Sequence, residues 1–420
     1  GTAAVTVLPF SFTTLAGGSN HTCGLSSNGD AFCWGRNFEG QLGSGTTSDR
    51  TTPGPVQGGH IFTALTAWQE VTCGLTSGGA AYCWGYNQDG TLGNGANQYS
   101  TTTPTAVLGG LVFKALETSG SHTCGLTTAG AAYCWGVNGN GELGDGTTTF
   151  RSTPVAVQGG LVFTAITTGN DHSCGLTSSR DPYCWGDNDS GQLGDGTTAG
   201  RLTPVLVAGG LAFTSLNAGG FLTCGLTTAG AAYCWGEGGN LGDGTTSNRS
   251  SPVAVHGGHA FSILGGGNRH NCAATSVGVG YCWGDNELGP LGDGTTTNRE
   301  TPVPIQGSIA FSSLFGGTEH TCGLASAGTA YCWGRNTNGQ LGDGTTTHRS
   351  TPTPVFGGRK FRQIDAGYTH TCGVTAERRV YCWGKNDSGQ LGDGTAIDRH
   401  RPLPVDGARQ VRQVAARGEK

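Results

Sequence analysis

Residues 122–136 read HTCGLTTAGAAYCWG, and variants of this stretch recur along the 420-residue chain. The Cys-Trp-Gly string that ends the stretch occurs eight times, at intervals of 48 to 51 residues. Each copy is followed by a loop rich in Gly, Thr, Asn and Asp and then by a short apolar run. A fixed period of this length is typical of repeat architectures. The tryptophans that mark the copies are Trp34, Trp84, Trp135, Trp185, Trp235, Trp283, Trp333 and Trp383.

Every unit contains four short apolar or alternating runs, which are separated by turn-forming residues. Strands produce this pattern, whereas a helical repeat would need amphipathic runs of ten or more residues. Four strands in a unit of about 50 residues predict an all-β propeller with one four-stranded blade per unit. We therefore expect residues 1–420 to form a single repeat domain, most simply with eight blades. A seven-bladed ring with an extra unit and an open spiral array are the alternatives.

The composition excludes several other classes of protein. With 79 glycines, a helix-rich enzyme fold is disfavoured, and the three-residue period of collagen is absent. The net charge of −5 predicts no affinity for nucleic acid, and no apolar run is long enough to span a membrane. The first ten residues lack the features of a signal peptide, and the chain has no methionine. We therefore expect a processed product whose targeting signal has been removed.

Two cysteines stand ten residues apart in every unit, as Cys124 and Cys134 do in the third. A three-residue hairpin loop ending at Gly130 would place these two cysteines directly opposite each other. The last residue of such a loop adopts the left-handed conformation, which glycine tolerates. Six units have glycine at this position. Arg180 and Arg378 replace it in the other two, so the loop is less well defined there.

Opposed residues of a pair without hydrogen bonds have Cα atoms about 4.5 Å apart, which a disulfide can bridge. Metal sites usually combine Cys-x₂-Cys spacing with four ligands, so the hairpin spacing favours disulfides. This pairing uses every cysteine and predicts an extracellular protein, either secreted or on the cell surface. The expected bridges are Cys23–Cys33, Cys73–Cys83, Cys124–Cys134, Cys174–Cys184, Cys224–Cys234, Cys272–Cys282, Cys322–Cys332 and Cys372–Cys382.

The repeated string GxxHTCGLTTAGAAYCWGxNxxGQLGDGT, followed by PVxV, closely resembles the repeat of the regulator of chromosome condensation family. The resemblance covers all eight units and implies a β-propeller, commonly seven-bladed, that acts through protein contacts rather than chemistry. The nuclear founder of the family acts on a small GTPase and binds nucleosomes, whereas secreted bacterial relatives include a β-lactamase inhibitor. Because this chain has eight units and a cysteine pair in each, we do not expect the nuclear role to transfer.

Six histidines precede the first cysteine of their units, whereas Val71 and Leu222 take this place in the other two. A ring of histidines could bind metal, but we expect each one to bond its own loop. The segment Asp187–Gly191 resembles a calcium loop but lacks the downstream glutamate. We therefore expect no metal or cofactor. The histidines are His21, His122, His172, His270, His320 and His370.

Six units also have an aspartate six residues before an arginine in the long loop after Cys-Trp-Gly. The second unit has Asn94 and Ser100 at these positions, so it lacks both the aspartate and the arginine. Because the two residues are absent together, we expect them to form a structural ion pair in the other units. The first unit, with Ser44 and Arg50, departs from this pattern. The expected pairs are Asp145–Arg151, Asp195–Arg201, Asp243–Arg249, Asp293–Arg299, Asp343–Arg349 and Asp393–Arg399.

No nucleophile elbow, P-loop, dinucleotide fingerprint or HExxH motif is present, so we expect no catalytic residues and no enzyme activity. Function would then depend on what differs between units. The loop before the histidine and the loop after Cys-Trp-Gly should emerge on one face, and large non-consensus residues occur in both. Such residues dominate binding sites for proteins or glycans, although they can equally pack locally. The candidates are Phe38, Trp68, Tyr86, Tyr99, Phe150, Phe221, Arg269 and Tyr368.

Charge is uneven along the chain, because residues 351–420 have a net charge of +5 and residues 1–350 a net charge of −10. This polarity predicts complementary contacts, either at ring closure or head to tail between molecules. Extra strand-like segments at both ends, AVTVL with FSFTTLAGG and PLPV with VRQVAARG, could fasten the ring or pair with another subunit. We expect a non-enzymatic scaffold for protein or glycan binding. A filament subunit and a secreted enzyme inhibitor are the alternatives.

Overall fold

Each sequence repeat forms one antiparallel four-stranded sheet in the computed structural model, which describes residues 11–96, 98–119, 121–267 and 269–406. Consecutive strands are neighbours in every sheet, so each blade is formed by one continuous stretch of chain. No helix of these ranges is long and apolar enough to cross a membrane. The all-β fold predicted from the repeat is confirmed.

The first strands of the blades are β1 (Phe12–Gly17), β5 (Phe62–Trp68), β9 (Phe113–Thr118), β13 (Phe163–Thr168), β17 (Phe213–Ala218), β21 (Phe261–Gly266), β25 (Phe311–Gly316) and β29 (Phe361–Ala366). The second strands are β2 (His21–Ser26), β6 (Val71–Thr76), β10 (His122–Thr127), β14 (His172–Thr177), β18 (Leu222–Thr227), β22 (His270–Thr275), β26 (His320–Ala325) and β30 (His370–Thr375). The third strands are β3 (Ala31–Gly35), β7 (Ala81–Tyr86), β11 (Ala132–Gly136), β15 (Pro182–Gly186), β19 (Ala232–Gly236), β23 (Gly280–Gly284), β27 (Ala330–Gly334) and β31 (Val380–Gly384). The fourth strands are β4 (Arg50–Pro55), β8 (Ser100–Ala106), β12 (Arg151–Ala156), β16 (Arg201–Leu206), β20 (Arg249–Ala254), β24 (Arg299–Pro304), β28 (Arg349–Pro354) and β32 (Arg399–Pro404).

The eight blades close into a ring, because the eighth packs against the first as the others pack against their neighbours. First strands of adjacent blades contact each other, including β29 with β1, so these strands line the central axis. At the closing interface, Phe12 and Trp34 pack against Val374 of blade 8. The backbone N–H of Phe12 also donates to the carbonyl of Arg378 at 3.1 Å. This eight-bladed ring excludes both the seven-bladed alternative and the open spiral.

Aromatic side chains fill the spaces between blades. Trp84 of blade 2 is fully buried and packs with Phe62 against the Cys23–Cys33 bridge of blade 1. Equivalent clusters lie between the other neighbours, so both faces of each sheet are covered. Gly125 of β10 allows this packing, because a Cβ there would lie 2.4 Å from the ring of Phe113. Strands that are apolar on both faces are therefore stacked between neighbours, as the sequence predicts.

All eight expected disulfides are present, and the Cα atoms of each pair are 4.1 Å apart. The three-residue hairpin loop is also confirmed, since Gly130 has a φ of 85° and its N–H donates to the carbonyl of Thr127. Arg180 and Arg378 adopt the same left-handed conformation, with φ angles of 71° and 62°. These two turns therefore have the same loop despite lacking glycine.

The extra segments at the chain ends are partly used in complete blades. FTTLAG within the first segment forms β1, and most of PLPV belongs to β32. AVTVL and VRQVAARG lie outside the described residues. Within the described chain, the eight blades therefore use each of these strands once, and none is left over for pairing with another subunit.

Candidate functional site

The loops of the propeller lie on two opposite faces. We call the loop face the one formed by loops between first and second strands and between third and fourth strands. The turn face contains the hairpin turns and the connections between blades. The two kinds of loop on the loop face are joined by backbone hydrogen bonds, such as Arg36 N–H to Asn20 and Tyr86 N–H to Glu70. All eight candidate binding residues therefore lie on, or at the rim of, this one face.

Six of the eight blade interfaces contain a buried contact that we call the histidine clamp. In blade 4, Nε2 of His172 lies 2.9 Å from the hydroxyl of Thr223 in blade 5. The hydroxyl of Thr223 donates to the carbonyl of Gln192 in blade 4, which also accepts Trp235 Nε1. Because the hydroxyl proton is already used, His172 is the donor from Nε2. The other clamps are His21–Thr72, His122–Ser173, His270–Thr321, His320–Thr371 and His370–Thr22.

The expectation that these histidines bond their own loops is wrong for Nε2, which reaches the next blade instead. Among the described residues, Nδ1 of His122 lies 3.0 Å from the hydroxyl of Ser119 in its own loop, whereas Nδ1 of His21, His172, His320 and His370 has no side-chain hydrogen-bond partner. Burial lowers the pKa of His172 to about 4 and that of His21 to about 3, so the rings are neutral. No group of three or more His, Cys, Asp or Glu side chains is arranged to hold a metal within the described ranges. The histidines thus join blades and have no solvent-facing role.

The six aspartate–arginine pairs expected from the sequence are present, and we call each pair a loop brace. In blade 4, one carboxylate oxygen of Asp195 accepts Nε of Arg201 at 2.7 Å. The other accepts the backbone N–H of Thr197 and its hydroxyl. Burial alone would raise the pKa of Asp195, but the bonds from Thr197 and Arg201 hold it below its usual range. These carboxylates therefore fasten the long loops, in Asp145–Arg151, Asp195–Arg201, Asp243–Arg249, Asp293–Arg299, Asp343–Arg349 and Asp393–Arg399.

The calcium-like segment of blade 4 also uses its polar groups internally. Asn188 is buried, and its side-chain amide donates to the carbonyls of Thr197 and Ala199. The carboxylate of Asp187 accepts the side-chain amide of Gln192 and the backbone N–H of Asp189. The segment is therefore a hydrogen-bonded loop turn.

Tyr86 and Tyr99 come together where blades 1 and 2 meet, beside Glu39 and its neighbour Phe38, and Trp68 lies on the same face at the end of the innermost strand of blade 2. The rings of Tyr86 and Tyr99 lie 5.4 Å apart in an edge-to-face arrangement, and the hydroxyl of Tyr99 donates to Glu39 of blade 1 at 3.2 Å. Phe38 is 65% exposed and Trp68 is 48% exposed. We call Phe38, Glu39, Trp68, Tyr86 and Tyr99 the blade 1–2 patch.

The blade 1–2 patch has a negative electrostatic environment. Glu39 is buried, and its Oε2 has no hydrogen-bond partner among the described residues. The nearby charge of Glu39, followed by burial, raises the pKa of Tyr99. Burial and the neighbouring Asp89 raise the pKa of Tyr86 to about 12. Both phenols therefore remain neutral hydrogen-bond donors over the physiological range.

The patch exists because blade 2 lacks the consensus residues that fasten other loops. The residue of blade 4 that corresponds to Trp68 is Gly169. A Cβ atom added to Gly169 would lie 2.3 Å from the ring of His172. Blade 3 has Ser119 at this position, whose hydroxyl lies 3.0 Å from Nδ1 of His122. In blade 2, Val71 replaces the histidine, so the much larger Trp68 does not meet an imidazole ring there. A substitution at one position of the clamp thus permits an exposed aromatic three residues earlier.

The remaining candidates are dispersed around the loop face. Phe150, Phe221 and Tyr368 are exposed in blades 3, 5 and 8. Arg269 borders a small cleft between blades 6 and 7. The structure therefore groups Phe38, Tyr86 and Tyr99 and distributes the other candidates over the loop face. Glu39 was missed by the sequence analysis because only large aromatic and arginine side chains were considered.

Comparison with known proteins supports the assignment of the repeat. The family model for the RCC1-like domain matches residues 3–314 and 112–420. Among curated proteins, the Ultraviolet-B receptor UVR8 of Arabidopsis thaliana is 31% identical over 149 residues, which is 34% of this chain and 34% of the receptor. The chain therefore spans about a third of the length of this relative.

Two solved structures share the fold at low sequence identity. Human WBSCR16 has a TM-score of 0.66 at 19% identity, covering 82% of this chain and 99% of that one. Prp20p from Saccharomyces cerevisiae, described with its binding properties to Gsp1p and histones, has a TM-score of 0.64 at 18% identity and covers 85% and 91%. At these identities the similarity concerns the propeller architecture alone.

Proposed function

Because the chain belongs to the RCC1-like domain family, we propose that it is a non-enzymatic scaffold that binds a protein partner through its loop face. The observation that carries this proposal is the blade 1–2 patch. Its exposed aromatics lie in two adjacent blades that both lack the loop brace. In blade 2, Val71, Asn94 and Ser100 take the places of the clamp and brace residues, and the side chains that dominate protein interfaces occur beside them in the same loops.

A protein partner fits the patch better than a glycan does. Phe38 and Trp68 project from neighbouring loops, and Glu39 lies buried beside the hydroxyl of Tyr99. Aromatic anchors over a buried polar group, surrounded by polar loops, are typical of the centre and rim of a protein interface. The binding of Gsp1p and histones described for Prp20p is an example of protein recognition by this fold.

The proposal includes an extracellular location and no catalysis. Eight disulfides suit an oxidising compartment. The titratable groups that recur in the repeat are the clamp histidines and braced aspartates, and both have structural partners. The repeat therefore offers no acid, base or nucleophile that is free to act on a substrate.

The test compares the proteins that wild type and a Trp68→Ala/Tyr99→Ala variant capture. Both are exposed to surface extract and medium from the organism that encodes the chain. The matched control is Phe150→Ala/Phe221→Ala, which removes two exposed aromatics from other blades. We expect one protein to be retained by wild type and control but lost with the patch variant. Equal retention by all three proteins would contradict the proposal. Release by free sugar would indicate a glycan, and capture of an enzyme that is thereby inhibited would identify an inhibitor.

A further inference from the structure

Two exposed arginines occupy strained positions on the turn face. Arg180 and Arg378 have φ angles of 71° and 62°, where the six other hairpin turns have glycine. Their carbonyls accept the N–H groups of Phe213 and Phe12 in the next blade, as those of the turn glycines do. The ring therefore needs only the backbone at this position. A side chain retained in an unfavourable conformation without a structural use points to a role on the surface.

The strained Arg378 belongs to a basic corner on the turn face of blade 8. Arg359, Lys360 and Arg379 lie in the same turn and in the adjoining blade connection, where Glu377 is the acidic residue. Arg362, close by, is used at ring closure, where it donates to the carbonyl of Phe12. Of the basic residues near the end of the chain, Arg362 thus contributes to ring closure, whereas those of the basic corner form an exposed surface.

The loop face has the opposite charge. Besides the six braced aspartates, its described loops contain 14 acidic and 4 basic residues. The largest group lies in blade 4, where Asp171, Asp187 and Asp189 are partly or fully exposed. The acidic residues are Glu39, Asp49, Glu70, Asp89, Glu142, Asp171, Asp187, Asp189, Glu237, Asp285, Glu287, Glu319, Asp387 and Asp398.

We propose that the turn face of one copy docks on the loop face of a second copy, so that propellers stack head to tail along the ring axis. The inference rests on the proposed function, because it names a second copy as a partner of the loop face. Both faces have the same eight-bladed outline. The loop face is acidic, and the described hairpin turns and blade connections of the turn face contain five basic and three acidic residues, with four of the basic ones in the corner of blade 8. An interface of this heterologous kind does not close on itself, so stacking continues into a filament.

A rotation of half a turn between copies brings three pairs of complementary features together. Blades four apart lie opposite each other in the ring, so blade 8 of one copy then covers blade 4 of the next. The basic corner around Arg378 faces the acidic group of Asp187 and Asp189. By the same rotation, Arg180 of blade 4, which precedes Asp181, faces the loop of blade 8, where Asp387 pairs with Lys385 and Asp398 lies at the end of the loop.

The third pair is apolar. Val277, in the hairpin turn of blade 6, is 75% exposed, and Val279 beside it is 44% exposed. The half-turn rotation places this turn over blade 2 of the next copy, whose loop face contains Trp68 and Tyr99. An exposed apolar turn thereby covers the exposed aromatics of the blade 1–2 patch, which would place an apolar contact beside the two charged ones.

The first test uses Arg180→Gly/Arg378→Gly, because this variant removes charge and strain together. We expect the melting temperature to rise and self-association to weaken by about fivefold for each lost charge pair at low salt. Sedimentation velocity in about 0.02 M and about 0.5 M salt measures association, which should decrease with salt. Because the melting temperature of the variant should be higher than that of wild type, a loss of association cannot result from misfolding. Unchanged association in the variant, or a wild-type protein that stays monomeric at low salt, would overturn the proposal.

The second test is a charge swap between two variants. Lys360→Glu/Arg379→Glu makes the basic corner acidic, and Asp187→Lys/Asp189→Lys makes the facing loop basic. Each variant alone should associate weakly, whereas an equal mixture should form alternating stacks. If the mixture remains monomeric, the stacking inference is wrong, and the Trp68→Ala/Tyr99→Ala capture experiment still decides the proposed function separately. Binding of wild type to anionic phosphatidylserine vesicles without self-association would assign the turn face to lipid instead.

Discussion

Blades 2 and 4 are formed by the same repeat, yet they use its key positions differently. Blade 4 has His172 in the clamp and the Asp195–Arg201 brace. In blade 2 the clamp position is Val71, and Asn94 and Ser100 take the place of the brace. Three loop positions of blade 2 contain Trp68, Tyr86 and Tyr99, where blade 4 has Gly169, Asp187 and Gly200.

The difference shows how a symmetric repeat acquires a unique surface. Consensus residues of blade 4 point inward and contact the next blade or their own loop. When they are lost in blade 2, the loop keeps weaker neutral bonds, such as that from Asn87 to the carbonyl of Ala96. Exposed aromatics occur beside the changed positions, as Trp68 does beside Val71 and Tyr99 beside Ser100. Residues for stability and for recognition thus share the same loops of the repeat in different blades.

The largest expected effect is the pH dependence of stability, which separates interfaces with a clamp from those without. The folded pKa of His172, about 4, lies below the value of about 6.5 in the unfolded chain. The unfolded state therefore binds more protons in this interval, so stability decreases as the pH falls from about 6.5 towards 4. At pH 4, each clamp histidine should have lowered the free energy of unfolding by on the order of 3 kcal/mol. Urea unfolding between pH 7 and pH 4 measures this loss.

The control converts one clamp into the interface found between blades 5 and 6. There Leu222 replaces the histidine, and Asn271 donates to the carbonyl of Asn240. A His172→Leu/Thr223→Asn variant should therefore show a shallower pH slope, with about one proton fewer taken up on unfolding. Carboxylates with a raised pKa, such as Glu117 at about 7, act in the opposite sense but are fewer. An identical slope in variant and wild type would contradict the assignment of proton uptake to the clamps.

The next largest effect concerns the brace itself. An Asp195→Asn substitution in blade 4 keeps the shape of the side chain but removes the negative charge to which Arg201 and Thr197 donate. It should therefore destabilise the protein by about 2 to 3 kcal/mol. Asn94→Ala in blade 2 removes only neutral bonds and should reduce stability by about 1 kcal/mol or less. The midpoint of urea unfolding checks both. Equal losses would show that the two loops are fastened equally.

A smaller effect should follow when blade 2 is changed towards blade 4. Trp68→Gly/Val71→His restores the consensus, and the hydroxyl of Thr123 in blade 3 is available because it donates to the carbonyl of Thr91. The new clamp should stabilise the protein by about 1 kcal/mol while partner capture is lost. Calorimetry and the capture assay measure the two changes. If Val71→His with Trp68 retained is equally stable, steric exclusion between these positions is not the reason for their joint change.

Sequence alone was sufficient for the structure of one blade, because each repeat contains the residues that form it. The spacing of Cys124 and Cys134 defined the hairpin, and its repetition predicted a propeller but left a seven-bladed ring and an open spiral as alternatives, because closure depends on the contact of blade 8 with blade 1. The partner of the histidines could not be derived, since His172 bonds Thr223, which is 51 residues away in the next blade. That contact depends on the angle between neighbouring sheets. The contact of Tyr99 with Glu39 also depends on blade packing rather than on local pattern.

The smallest expected effect compares the two arginine turns with the glycine turns. Arg180→Gly should stabilise the protein by about 0.5 to 1 kcal/mol, because glycine adopts a φ near 71° without steric strain, although it loses more backbone entropy on folding. Gly130→Arg, at the same position of blade 3, should destabilise by about 1 kcal/mol or slightly more, since Val162 lies 2.7 Å from the site of the added Cβ. Thermal unfolding of both variants shows whether each substitution raises or lowers the stability. If Arg180→Gly instead lowers stability, the arginine side chain contributes to the ring, and the argument for its role in stacking loses its basis.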